Sequence, residues 1–180
     1  MEKTIQTRSA ADARVRSIVA CALLAALACA ATMVIHVPSP TGGYMNLGDA
    51  AVLLGAFLLG PWYGAVAGGV GSAMADALSG YPVYVPATLI IKAIMAVAAG
   101  LVYRALREKS GGTLIAALIG EIPMVVGYWL FDALLLGSFT GSAAGIPSNL
   151  VQVGFGVAVS VFLTAALRRS GYVRGKFANL

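Results

Sequence analysis

Six apolar runs, separated by short breaks rich in proline, glycine or charge, make up this chain. The first runs from Val15 to Ile35, and at 1.5 Å per residue it spans about 30 Å, one hydrocarbon core. His36, Pro38, Pro40, Gly42 and Gly43 end it. A shorter run extends from Asp49 to Leu59, a tight turn is expected at Gly60-Pro61, and a third run continues from Trp62 to Leu78. Asp49 is placed to cap the second helix, since a carboxylate accepts from the free N–H groups at a helix start. If the chain goes down and comes back through Gly60-Pro61, Asp49 and Asp76 return to the same side.

The fourth run starts at Pro86, a favourable first helical position, and ends near Leu106. The fifth covers Thr113 to Leu136 with a kink expected at Pro123, and the sixth covers Pro147 to Arg168. The intervals 36–48, 79–85 and 137–145 read as loops, the last made of small residues. Within the third run, Gly64, Gly68, Gly71, Ser72 and Ala75 recur at three- and four-residue spacing, a pattern that lets helix backbones approach closely in lipid.

Composition turns this pattern into a fold class. Hydrophobic residues make up 59% of the 180 residues and charged residues 11%. A soluble domain carries about 25% charged residues, so too little polar surface is available here to cover a soluble globule. The reading is an all-α integral membrane protein: one membrane domain over 1–180, with an N-terminal segment at 1–14, a six-helix bundle over 15–169 and a tail at 170–180. Arg14 and Arg16 before an apolar run, with Ala28-Cys29-Ala30 resembling a cleavage site, raise a signal peptide; the run is read as a retained transmembrane helix.

The net charge of +5 does not point to nucleic acid, because the bases sit in short clusters between apolar runs. Lys3, Arg8, Arg14 and Arg16, then Arg104, Arg107 and Lys109, then Arg168, Arg169, Arg174 and Lys176 all fall at one face of a six-span topology. The opposite loops contain no Lys or Arg. By the positive-inside rule both termini are cytoplasmic. Lys92 alone escapes the pattern, inside the fourth run.

Ionisable residues inside a membrane cost at least about 2.5 kcal/mol each on insertion scales and are functional candidates by default. Asp76, Lys92, Glu121 and Asp132 remain once the loops are set aside. Counting helix rise places Lys92 about 9 Å, Asp132 about 8 Å and Asp76 about 5 Å below the outer end of their helices, with Glu121 deeper. Lys92 is expected to pair with Asp76 or Asp132, either to lock the bundle or to line an outward cavity. Tyr44, Tyr81, Tyr84, Tyr128 and Trp129 gather near the same side, as an interfacial belt or as cavity walls. Asn46, Asn149 and Gln152 add amides, the last two on one helix face. An apolar cavity with a few convergent polar groups and aromatic walls suits a small aromatic ligand. The expected substrate-binding set is Asn46, Asp49, Asp76, Tyr84, Lys92, Tyr128, Asp132, Asn149 and Gln152.

The remaining features point away from enzymatic chemistry. Cys21 and Cys29 lie in the first run without a Cys-x-x-Cys or Cys/His cluster and read as packing residues. One histidine, His36, at a helix end reads as interfacial, and dispersed carboxylates give no metal site. No phosphate-binding Gly-x-x-x-x-Gly-Lys-Ser/Thr loop or His-Glu-x-x-His motif is present. Gly69 to Met74 is similar to the serine segment of an intramembrane protease but has no credible histidine partner. Ala22, Ala26 and Ala30 form a smooth stripe on the first helix, suited to a partner helix or to packing within the bundle.

The run Tyr44-Met45-Asn46-Leu47-Gly48-Asp49, followed by Leu59-Gly60-Pro61, Gly68-Gly69-Val70-Gly71-Ser72-Ala73, Ala75-Asp76, Ser79-Gly80-Tyr81 and Ile90-Ile91-Lys92, resembles the S components of energy-coupling factor (ECF) vitamin transporters. Met124-Val125-Val126-Gly127-Tyr128 and Pro147-Ser148-Asn149-Leu150-Val151-Gln152 extend the resemblance over nearly the whole chain, closest to the riboflavin-transporter-like branch. That branch includes proteins for pyridoxine and hydroxymethylpyrimidine uptake. The resemblance implies six helices in a prokaryotic plasma membrane and high-affinity vitamin capture from outside. It also implies a transmembrane coupling subunit and two ATPase subunits as partners, with ATP hydrolysis in the partners and no cofactor beyond the bound vitamin. It implies that the alanine stripe meets the coupling subunit and that the first outer loop acts as a lid. The favoured substrate is of the pyridoxine or hydroxymethylpyrimidine type, with riboflavin next. The alternatives are a stand-alone ion-coupled carrier using Asp76, Lys92 and Asp132 as a relay, and a structural membrane protein whose ion pairs serve only the fold.

Overall fold

The computed structural model describes residues 2–35, 37–171, 175–177 and 179, with backbone alone for residues 2–13. Six long helices form: α1 (Glu2–Val34), α2 (Gly48–Leu59), α3 (Pro61–Leu78), α4 (Val85–Leu106), α5 (Gly112–Leu136) and, after a four-residue helix α6 (Phe139–Ser142) and a 3₁₀ turn (Ala143–Gly145), α7 (Ile146–Arg169). The segments Arg14–Val34, Val85–Leu106, Gly112–Leu136 and Phe139–Arg169 are long and apolar enough to cross a membrane. The apolar α2 has only 12 residues, about 18 Å of rise. α3 is long enough, but its glycines and Asp76 dilute its apolarity.

The short α2 is the centre of the bundle. It packs against α1, α3, α4 and α7, and every residue from Gly48 to Leu59 except Ala50 is buried. A helix apolar on all sides is stable only when other helices enclose it, so its length need not match the bilayer. Phe57 stacks on Tyr103 with ring centroids 4.5 Å apart. At Gly60 the backbone takes φ +85°, a region that L side chains avoid, and Pro61 opens α3 in the next position.

The small-residue stripe of α3 is buried as its spacing predicts: Gly64, Gly68, Gly71, Ser72 and Ala75 are all enclosed. At Gly71 a Cβ would fall 2.3 Å from the Ala25 carbonyl oxygen of α1, so the two backbones touch where no side chain intervenes. Cys21 packs into the same seam and donates to the Tyr63 carbonyl at 3.4 Å. α5 continues as one helix through Pro123.

Three local expectations differ. α1 extends back to Glu2, because the polar residues ahead of Val15 continue the helical ladder. The loop between α1 and α2 contains a two-strand antiparallel ribbon, β1 (Val37–Pro38) on β2 (Tyr44–Met45), in register Val37↔Met45 and Pro38↔Tyr44. The interval after α5 is helical rather than irregular. Ser138 caps α6 by accepting from the Gly141 N–H at 3.0 Å, which supplies the start signal that small residues alone do not carry.

The bases converge on one end of the bundle. Arg168 donates to the Arg107 carbonyl at 2.7 Å, and its guanidinium lies 5.7 Å from the Tyr103 ring centroid. Arg104 reaches Asn179, which donates to the Leu58 carbonyl at 3.2 Å. Arg16 and Lys176 flank Leu58 and Leu59 at the same end. His36 and Arg174, and the side chains of Lys3 and Arg8, lie outside the described residues.

Candidate binding cavity

The opposite end holds the polar chemistry. The ribbon β1–β2 lies across the helix ends and contributes Ser39, Thr41, Gly43 and Tyr44 to a cavity. Asn46, Asp76 from the end of α3, Tyr84 and Thr88 from the start of α4, Tyr128 and Asp132 from α5, and Asn149 and Gln152 from α7 complete its lining. Seven of the nine expected site residues therefore share one space. Helix geometry brings them there, since Tyr84 and Thr88, Tyr128 and Asp132, and Asn149 and Gln152 are each one turn apart.

Tyrosines hold the two carboxylates of this wall. The Tyr44 hydroxyl donates to Asp76, and the Tyr84 hydroxyl donates to Asp132 at 3.0 Å. Burial first, then the neighbouring carboxylate, pushes the Tyr44 and Tyr84 hydroxyls up from the ordinary phenol value, so both remain donors. Thr88 and Tyr128 share a hydrogen bond at 2.9 Å. The ribbon is tied down by Ser39 to Ser148 at 3.2 Å, and Gly43 leaves only 3.3 Å between a notional Cβ and the Tyr84 hydroxyl. Outside the cavity, Tyr81 packs on Tyr44 with centroids 4.7 Å apart. Trp129 donates to the Phe139 carbonyl at 3.2 Å, so it braces α6 and does not line the cavity.

Asp49 and Lys92 lie beneath the floor, and here two expectations are corrected. Lys92 pairs with Asp49, not with Asp76 or Asp132, because α4 packs on the buried α2 and turns the ammonium inward. Asp49 caps nothing: it sits in the first turn of α2, where no side-chain cap forms. Its second oxygen accepts from Gln152 Nε2 at 2.7 Å, and Gln152 Oε1 accepts from the Asn46 N–H at 2.8 Å. Lys92 also lies 5.4 Å from the Tyr128 ring centroid. The pair thus fixes Gln152 and Tyr128, which do face the cavity. Sequence reasoning missed Thr88, Ser39, Thr41 and Gly43, and had Tyr44 only as an interfacial or cavity-wall residue; Thr88 is one turn from both Tyr84 and Lys92, a signal that periodicity contained.

Glu121 is deeper still. It is 1% exposed, neither of its oxygens has a hydrogen-bond partner among the described residues, and it faces Asp49 across Gly156. A buried polar group without a partner costs about 1–3 kcal/mol. Glu121→Met is therefore expected to raise stability by about that amount, read as a higher melting temperature in detergent. A lower one would show that the carboxyl is held, for example by a proton shared with Asp49.

Residues 12–169 match the family described as ECF-type riboflavin transporter, S component. An uncharacterised protein of Pyrococcus woesei from the gap 3′ region is 36% identical over 139 residues, 77% of this chain and 92% of that protein. The thiamine precursor transporter HmpT of Lactococcus lactis subsp. cremoris is 31% identical over 140 residues, 77% of this chain and 78% of the relative. The solved S component of a bacterial ECF transporter superposes with a TM-score of 0.70 at 19% identity, over 87% of this chain and 97% of that one. That likeness is one of fold.

Proposed function

Because this chain belongs to the S-component family of ECF-type riboflavin transporters, the substrate-binding membrane subunits of those systems, we propose that it captures a water-soluble vitamin or vitamin precursor outside the cell. It then delivers this ligand through an ATP-driven complex of a transmembrane coupling subunit and two ATPases. The observation that carries the reading is the aromatic-walled polar cavity whose described lining holds no Lys or Arg. The favoured substrate is of the hydroxymethylpyrimidine or pyridoxine type, with riboflavin next. The relative named as a thiamine precursor transporter supports the first, and the family's description supports the last.

The cavity encloses about 30 Å³, room for a water or two. A heteroaromatic ring needs several times that, so admission requires the ribbon to lift, which breaks the hydroxyl tie from Ser39 to Ser148 and the Tyr44–Asp76 hydrogen bond. The decisive experiment is mass spectrometry of the small molecule retained by gently purified protein, with a search for copurifying ATPase subunits. No retained heteroaromatic and no ATPase would sink the reading and favour an ion-coupled carrier.

The topology proposed with it has six spans, both termini in the cytoplasm and the cavity outside, in the plasma membrane of a prokaryote. In intact cells, Thr140→Cys is expected to react with an impermeant maleimide and Lys109→Cys only after permeabilisation. The reverse pattern would invert the protein.

A further inference from the structure

We propose that Asp132 selects the ligand by charge: the cavity takes a heteroaromatic ring that carries a positive charge or paired N–H donors, and turns away anions. This deepens the reading of the cavity as the vitamin site and rests on it.

The argument starts from which charges face the ligand. Among the described residues lining the cavity there is no Lys or Arg, while Asp76 and Asp132 are both present. Lys92, buried in the middle of the bundle, is 1% exposed and is engaged by Asp49, so its charge is spent on another carboxylate. Asp132 takes part in neither of the ion pairs formed among the described residues, Lys92–Asp49 and Arg107–Glu108. It is 4% exposed, and the Tyr84 hydroxyl supplies it one hydrogen bond. A carboxylate has about four acceptor sites, so most of its capacity is left toward the cavity and the adjoining Gly145.

A buried carboxylate so placed favours a ligand that brings its own donors. An amino group beside a ring nitrogen, or a protonated nitrogen, forms charge-assisted hydrogen bonds with it, about twice as strong as neutral ones. The Tyr84 and Tyr128 rings border the same space and add attraction for a cationic ring. A phosphate or carboxylate on the ligand meets repulsion that low dielectric magnifies, with no base on the wall to offset it. The site therefore discriminates between a free vitamin and its phosphate ester beyond the desolvation penalty that any pocket without a base imposes on an anion, and that excess is what Asp132→Asn removes.

The test uses the full chain in nanodiscs and equilibrium binding of compounds that differ at one group. One set is 4-amino-5-hydroxymethyl-2-methylpyrimidine, its 4-oxo analogue and its phosphate monoester. The other is pyridoxamine, pyridoxine and pyridoxamine phosphate, with riboflavin measured alongside. In whichever set binds, the amino compound is expected to bind at least about tenfold tighter than its neutral analogue and at least about a hundredfold tighter than its phosphate ester, on the scale of charge-assisted against neutral hydrogen bonds. Asp132→Asn is expected to weaken the amino compound at least about tenfold and to narrow both gaps. Should that variant fail to fold, Asp76→Asn is compared with the wild type: gaps that persist leave Asp132 as the selecting carboxylate, and gaps that vanish overturn the inference. Smaller gaps, or an Asp132→Asn protein with unchanged preference, overturn the inference. Tight riboflavin binding with neither set bound also overturns it while leaving vitamin capture intact. No binding of any compound, with no heteroaromatic retained on purification, removes the capture reading as well.

Discussion

Lys92→Met is expected to destabilise the bundle severely, and Asp49→Asn in the same chain to restore it. The pair is sealed, with side chains 2% and 0% exposed, on α4 and the enclosed α2. Removing one partner of a buried ion pair typically costs about 3–5 kcal/mol, because the other charge is left uncompensated, whereas replacing both is often neutral. Here the single change would leave Asp49 facing Glu121 with no cation between α2, α4 and α5. In the double variant the amide that replaces the Asp49 carboxylate still offers an oxygen to Gln152 Nε2, so the link to the cavity floor survives. The readouts are detergent melting curves and yield of monodisperse protein. A stable Lys92→Met single variant would show that the pair contributes little. Ligand affinity of the double variant separates the two roles, binding and support, open to Lys92. A loss of about tenfold, about 1.4 kcal/mol, would put its ammonium on the ligand. A change under about threefold would leave it as the support of Gln152 and Tyr128, which is where its burial places it.

Ala26→Trp should abolish uptake while ligand affinity in the isolated protein stays within about twofold. α1 meets the bundle through Cys21, Ala28 and Thr32, which are buried. Ala22, Ala26 and Ala30 are exposed on the opposite side. Ala26 and Ala30 border a groove of about 450 Å³ between α1 and α3, lined also by Val70 and Met74. A stripe of alanines facing outward lets a neighbouring helix approach at backbone distance, and an indole would hold it several ångströms away. The binding cavity, formed by the ribbon and the adjacent ends of α3, α4, α5 and α7, shares no residue with this groove. Uptake by cells expressing the complete transport system, with binding to the purified variant as control, checks both halves. Lost binding in the isolated variant would mean that Ala26 supports the fold instead.

Features with a local cause were legible in the chain. Each of the six long helices contains an apolar run closed by its breakers, although α1 continues back through polar residues ahead of its run. The turn at Gly60-Pro61 follows from a glycine with φ +85° ahead of a proline. The buried stripe of α3 follows from the three- and four-residue recurrence of small side chains. Depth along a helix is also local, because rise per residue is constant, and so the level shared by Asp76, Tyr84, Tyr128 and Asp132 needs no knowledge of contacts.

Pairing has no such local cause. Whether Lys92 meets Asp49, Asp76 or Asp132 depends on which helices are neighbours and how each is rotated about its axis. A rotation by one residue, about 100°, moves a side chain from one partner to another at almost the same depth. The hydrophobic pattern of α2 is uniform around its circumference, so it carries no sign that α2 is the central helix, and Asp49 reads as a cap when it is a buried ion. The ribbon Val37–Pro38 on Tyr44–Met45 is held by contacts across the loop and onto α7, which no periodicity in 36–48 encodes. The chain's own pattern thus established a six-helix protein of membrane character with polar groups at one level. Only the packing of α4 and α7 around α2 decided which of those groups face the ligand space and which neutralise one another beneath it.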